Sequence, residues 1–172
     1  MCGIVGYVGK QKAAPLIIEG LKRLEYRGYD SAGVAVMQDG RFEVAKKTGR
    51  VANLETEAAK HRLHGTHGIG HTRWATHGGP TDTNAHPHRG GNQDQLALIH
   101  NGIIENFHAL KKGLLAEGAH FDSETDTEVA AKIVGREFDR TGDLTEAMRA
   151  AVAQLEGAFT LLAVHADQPG VV

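Results

Sequence analysis

An α+β fold is what this sequence predicts, and three observations carry the prediction. Two β-rich runs flank Asp39-Gly40, a dipeptide suited to two-residue hairpins because both positions tolerate positive φ. "TDTE" at 125–128 reads as a capping box, the signature of a helix start. Strands and helices also come as hairpins and helix pairs instead of strict βαβ alternation, which favours a layered α+β domain. The 172 residues suffice for one domain, able to bury about 70% of its unfolded surface. No internal repeat, low-complexity linker or domain boundary divides them.

The elements follow in order. Residues 2–8, β-branched and glycine-punctuated, predict the first strand. Pro15 opens a helix through Tyr26, with Leu16, Ile17, Ile18, Leu21 and Leu24 supplying most of its apolar face. "AGVAVMQDGRFEVAKKT" forms the hairpin, and residues 51–62 a helix with Glu and Lys outward. "HGIGHTRWAT" predicts a strand and "HGGPTDTNAHPHRGGNQ" a long loop. Loops of that length tend to be functional. "QLALIH" is a strand ending at Asn101-Gly102, and a helical stretch near 104–117 comes next. The capping box then starts a helix running to about Phe138. Asp143 with Glu146 is a weaker copy of that signal, before a helix ending near Leu155. "AFTLLAVH" is the last strand.

Composition excludes several function classes. A net charge of -2 and a pI near 6.6, with Lys and Arg scattered, argue against nucleic-acid or membrane-surface partners. One cysteine excludes an internal disulfide and a multi-cysteine zinc site, and suits a reducing compartment. The apolar N-terminus lacks a basic leader and a small-residue cleavage site, so no signal peptide is expected. No apolar run approaches the ~20 residues of a membrane span. A soluble, cytoplasmic protein is expected. Eleven histidines raise a metal-binding alternative, through His67 with His71 and through His86-Pro87-His88. The first pair lies in a predicted strand, and no H-E-x-x-H occurs. Neither a metal nor any other cofactor is expected.

Cys2 has two readings. As a buried small hydrophobe it simply begins the first strand. Alternatively, initiator methionine is generally removed before a small residue, which would give Cys2 a free α-amine. That amine has an ordinary pKa of about 7.7–8.0. It can take the proton of its own thiol, so nucleophile and base share one residue. Gly3 would then let the backbone pass close to a bound substrate.

"MCGIVG", "LEYRGYDSAG", "HTRWATHG", "NAHPH", "HNGIIEN" and "SETDTE" occur in that order. The series resembles the glutaminase domain of the glutamine–fructose-6-phosphate aminotransferases, class II amidotransferases with an N-terminal nucleophile. "HTRWATHG" is nearer to these than to amidophosphoribosyltransferases, asparagine synthetases or glutamate synthases. The resemblance spans residues 2–172 and implies a four-layer α/β/β/α sandwich that hydrolyses the side-chain amide of L-glutamine. It further implies that ammonia passes to a C-terminal sugar isomerase domain acting on fructose 6-phosphate, in a homo-oligomer when full length. The family's domain is expected to continue past residue 172, leaving the sandwich C-terminally incomplete with an unpaired sheet edge. The glutaminase domain of another class II enzyme, or a binding module that does no chemistry, are the alternatives.

Each motif also has a structural reading. Asn101-Gly102 suits a type I′ turn; the resemblance makes the Asn101 carboxamide and the Gly102 N–H the oxyanion donors. Arg73 reads as a surface cation beside a core Trp74; the resemblance has it fork onto the glutamine α-carboxylate. Thr76 and His77 are then polar support and Trp74 a pocket wall. Asp126 favours a helix N-terminus; the resemblance gives it the substrate α-ammonium. "RGYDS" reads as a helix stop at Gly28, whereas the resemblance sets Arg27 next to the nucleophile.

Overall fold

Side chains alternate across a strand, so period two decides which layer each residue joins. In β2 (Ser31–Gln38), Val34 and Val36 face a pair of helices while Ala35 and Met37 face a second sheet. In β6 (Leu96–Ile104), Leu96 and Leu98 face helices while Ala97 and Ile99 face the first sheet. A strand buried on both faces reads as a continuous apolar run, and "LALI" is one.

The computed structural model describes residues 2–172, so the expected removal of Met1 lies outside the described residues. The chain forms β1 (Gly3–Val8), α1 (Ala13–Arg23), a 3₁₀ turn (Glu25–Arg27), β2, β3 (Arg41–Thr48), α2 (Val51–Ala58), β4 (His67–Arg73) and β5 (His88–Gly90). After these come β6, α3 (Phe107–Ala116), α4 (Asp126–Thr141), α5 (Leu144–Val152) and β7 (Gly157–His165). One antiparallel sheet has the order β1-β4-β2-β3 and the other β5-β6-β7. Helices α1 and α2 cover the first sheet, α3 to α5 cover the second, and Ile69, Phe42, Ile99 and Val164 fill the space between sheets. That is the four-layer α/β/β/α arrangement. Among the described residues β7 pairs with β6 alone, which leaves its other side as a sheet edge.

Several local expectations need correction. The first helix stops at Arg23 and the chain tightens into the 3₁₀ turn, ended by Gly28 at φ 75°. The expected loop at 77–93 contains β5, paired with β6. Most importantly, Asn101-Gly102 is not a turn. β6 runs through it, pairing Asn101 with Thr160 and Gly102 with Phe159. Gly102 takes φ 119°, and a Cβ there would lie 2.2 Å from the Ala158 carbonyl oxygen. Glycine is required by the strand itself, not by a hairpin. The predicted hairpin is at Asp39-Gly40, both with positive φ (52° and 75°).

The capping box at 125–128 is half formed. Thr125 accepts the Glu128 N–H at 3.2 Å, as a cap should. The Glu128 carboxylate does not return to the Thr125 N–H. It accepts instead from the Asp122 and Ser123 amides and the Ser123 hydroxyl, so it orders the loop before the helix. The second signal is a true cap, with the Asp143 carboxylate accepting from the Glu146 amide at 2.8 Å.

Candidate active site

The inter-sheet layer changes character along its length. On β4, Ile69, His71 and Arg73 share the face toward the second sheet, and on β6 Ala97, Ile99 and Asn101 face back. Ile69 and Ile99 pack as core. One step further the facing pair is polar: His71 Nε2 and Asn101 Oδ1 are 2.6 Å apart. Beyond that the layer opens into a cavity of about 640 Å³ at the ends of β1, β4 and β6.

Of the nine residues singled out in the sequence, eight line this cavity: Cys2, Arg27, Arg73, Trp74, Thr76, Asn101, Gly102 and Asp126. Cys2 precedes β1, and its Sγ accepts the Trp74 N–H at 3.2 Å. The Asn101 Nδ2 donates to the Cys2 carbonyl at 3.4 Å, which brings the carboxamide to the cysteine backbone. Trp74 is 55% exposed, not a core residue, and stands at the cavity mouth.

Arg73 departs from its reading as a surface cation, being only 3% exposed. Its guanidinium donates to the carbonyls of His77, Gly78 and Gly79. Three of its five N–H groups are thereby committed to the loop after β4, leaving two for any ligand. Burial lowers its pKa, while Asp30, Cys2 and Asp126 act in the opposite direction. His77 is not among the cavity-lining residues. Its carbonyl serves Arg73, and its ring packs on Phe107 with centroids 4.5 Å apart.

Asp126 stands both at a helix start and at the cavity. It is the first residue of α4, where a carboxylate favours the helix dipole, and it is 2% exposed at the cavity. Its Oδ2 accepts the Ile104 N–H at 3.0 Å, tying α4 to the end of β6. Gly3 is closely packed from inside the fold. A Cβ there would meet Leu24 Cδ1 at 2.7 Å and Thr72 Oγ1 at 2.8 Å, so close internal packing demands glycine.

Sequence reasoning missed Asp30 and His100, and raised His86 only as a metal ligand. Asp30 accepts the Ala75 N–H and so anchors the loop after Trp74; its place in "RGYDS" was the only signal. His86 and His100 line the cavity. His71, His86, His88 and His100 form a buried cluster, with the His71 and His86 rings stacked at 4.4 Å. Among the described residues no group of three or more His, Cys, Asp or Glu side chains is placed to hold a metal ion. Burial pulls His71 down to about 4 and His86 and His88 well below the ordinary value. Burial also lowers His100, against the opposing pull of Asp126.

This cluster predicts acid sensitivity. The unfolded chain takes up protons on these rings near pH 6.5, and the folded chain does not. Stability is therefore full above about pH 6.5 and declines as pH falls toward about 4. The slope reaches about 1.4 kcal/mol per pH unit for each buried ring. Urea unfolding measured stepwise from pH 7.5 to 5 checks this, and unchanged stability over that range would contradict it.

The chain matches the family model "Glutamine amidotransferase domain" over residues 71–172. It is 60% identical to a glutamine–fructose-6-phosphate aminotransferase of Leifsonia xyli and 58% identical to one of Streptomyces coelicolor, in both cases over 100% of this chain. It spans 28% of the length of these curated relatives. Among solved structures, the allosteric regulatory enzyme of purine biosynthesis superposes with a TM-score of 0.80 at 28% identity. That superposition covers 95% of this chain and 35% of the other. The glutamine phosphoribosylpyrophosphate amidotransferase of B. subtilis superposes with a TM-score of 0.79 at 28% identity, covering 96% and 35%.

Proposed function

Because the chain belongs to the glutamine amidotransferase domain family, we propose that residues 2–172 carry the glutaminase half of a glutamine–fructose-6-phosphate aminotransferase. One observation supports this most: a lone cysteine, an asparagine carboxamide, a buried arginine and a buried aspartate line a single cavity. The arginine and aspartate suit the two charged ends of an α-amino acid. L-Glutamine is the substrate proposed.

In this reading the freed α-amine of Cys2 takes the thiol proton, and Sγ attacks the side-chain amide carbon of glutamine. The tetrahedral oxyanion is met by Asn101 Nδ2–H and the Gly102 N–H. The amine returns its proton to the departing nitrogen, which leaves as ammonia, and a thioester remains. Water, deprotonated by the same amine, attacks that thioester to give glutamate and restore the thiol. Arg27 helps to order the nucleophile's surroundings, Trp74 walls the cavity, and Thr76 supports it. His77 acts through its carbonyl on Arg73.

For the whole protein we propose that the ammonia passes to a sugar isomerase domain acting on fructose 6-phosphate, in a cytoplasmic homo-oligomer. The relatives' names and the 28% share of their length that this chain spans support that division. No described helix is long and apolar enough to cross a membrane.

A glutaminase assay with mass analysis of the N-terminus tests the core of the proposal. Asn101→Ala is expected to lower kcat by ~10²–10³ with little change in KM. Arg73→Ala acts mainly on KM, through a charge-assisted contact worth roughly 1.5–3 kcal/mol. It also releases the carbonyls of residues 77–79, so proteolysis in that loop should rise. The reverse pattern, KM for Asn101 and kcat alone for Arg73, would overturn the assignments.

A further inference from the structure

We propose that His71 is a positioning residue for catalysis, holding the Asn101 carboxamide so that its NH2 end faces Cys2. This rests on the reading of Asn101 as an oxyanion donor. His71 is fully buried on β4 and is not among the residues lining the cavity. Its ring is hydrogen-bonded to Asn101 and stacked on His86, both of which line it.

The two ends of a carboxamide have nearly the same shape and opposite hydrogen-bonding character, so its partners decide which way round it sits. At one end of Asn101 is the Cys2 carbonyl oxygen, an acceptor at 3.4 Å. That end must be the NH2. At the other end is His71 Nε2 at 2.6 Å, and it therefore faces the amide oxygen and must carry the ring proton. Burial lowers the His71 pKa to about 4, against the pull of its hydrogen bonds to the Asn101 side chain and the His100 backbone. The ring is therefore neutral and has one N–H, and Asn101 Oδ1 at 2.6 Å is its side-chain acceptor.

The consequence falls on the transition state. A flipped carboxamide would present its oxygen to the developing oxyanion, replacing an attraction with a repulsion. Ground-state binding of glutamine, through Arg73 and Asp126, would be little affected. Loss of the His71 donor should thus act on kcat and spare KM. β4 and β6 belong to different sheets, so this hydrogen bond also sets the carboxamide from across the sandwich.

The test is a kinetic cycle in the full-length protein that carries this chain. His71→Phe keeps a ring of similar shape and removes the donor. It is expected to lower kcat for glutamine hydrolysis by about 10- to 100-fold, less than the ~10²–10³ for removing the Asn101 donor outright. KM should stay within about two-fold. His71→Gln keeps an N–H at similar reach and should restore most of kcat. In the Asn101→Ala background His71→Phe should cost nothing further, because residues acting as one unit are non-additive. Should the Phe variant not fold, His71→Asn, smaller and too short to reach Asn101, takes its place in the cycle.

Equal kcat in His71→Phe and the parent, with Asn101→Ala slow, overturns the positioning role. So does a full multiplicative loss in the double variant, which would mean that His71 acts on stability elsewhere. A normal kcat in Asn101→Ala itself would instead remove the oxyanion reading on which the proposal stands.

Discussion

Replacing Cys2 with alanine should abolish glutamine hydrolysis while leaving the protein folded. The only thiol of the chain lies at the cavity, before β1 begins, so its loss leaves no hole in a core cluster. Among the described residues its sulfur accepts one hydrogen bond, from the Trp74 N–H. That donor sits beside an open cavity where water can replace the sulfur. Stability should therefore change little, whereas kcat should fall by about 10⁴-fold or more, as when other covalent nucleophiles are removed. Glutamate release and the thermal unfolding midpoint, measured on the same preparation, separate the two effects. An electrophilic analogue of glutamine should label the parent at Cys2 and leave Cys2→Ala unmodified. Substantial hydrolysis by the variant would sink the proposed mechanism.

Blocking the α-amine of Cys2 should be almost as damaging, with the thiol untouched. Retaining Met1, or adding an N-terminal extension that is not removed, turns the amine into an amide with no useful basicity. The proton on sulfur and the proton needed by departing ammonia then lose their carrier. General acid–base catalysis of this kind contributes about 10²–10⁴-fold. Turnover should fall by that order in a protein whose extension is verified by mass. Undiminished turnover would place the base elsewhere. His86 and His100 would then be the candidates, since both line the cavity and each has a buried ring nitrogen with no hydrogen-bond partner among the described residues.

Much of the fold was legible because local chemistry and burial agree. Asp39-Gly40 made its hairpin because both residues reach positive φ and the strands beside them alternate. Asp143 and Thr125 began helices because their side chains accept amides three residues on. The errors share one cause. Asn101-Gly102 satisfies every local rule for a turn, yet pairing with Thr160 and Phe159 keeps it in β6. Glu128 has the spacing to complete a capping box, yet Asp122 and Ser123 offer it more donors. In each case a partner distant along the strand order, or outside the motif, outweighed the local preference.

The site divides in the same way. The ordered motifs and the family resemblance they carry singled out Cys2, Arg73, Asn101 and Asp126 from the sequence. The chemistry of an amide and a zwitterion gives a reason for those residue types: a nucleophile, donors and opposed charges. Only the tertiary structure decided how they are held. Arg73 spends three donors on the loop it precedes, and His77 serves through its backbone. His71 meets Asn101, 30 residues away and in the other sheet. Periodicity shows that two residues face the interior, but which interior groups meet depends on strand order and on the stacking of two sheets. Those are set by the whole core, and no short stretch of sequence encodes them.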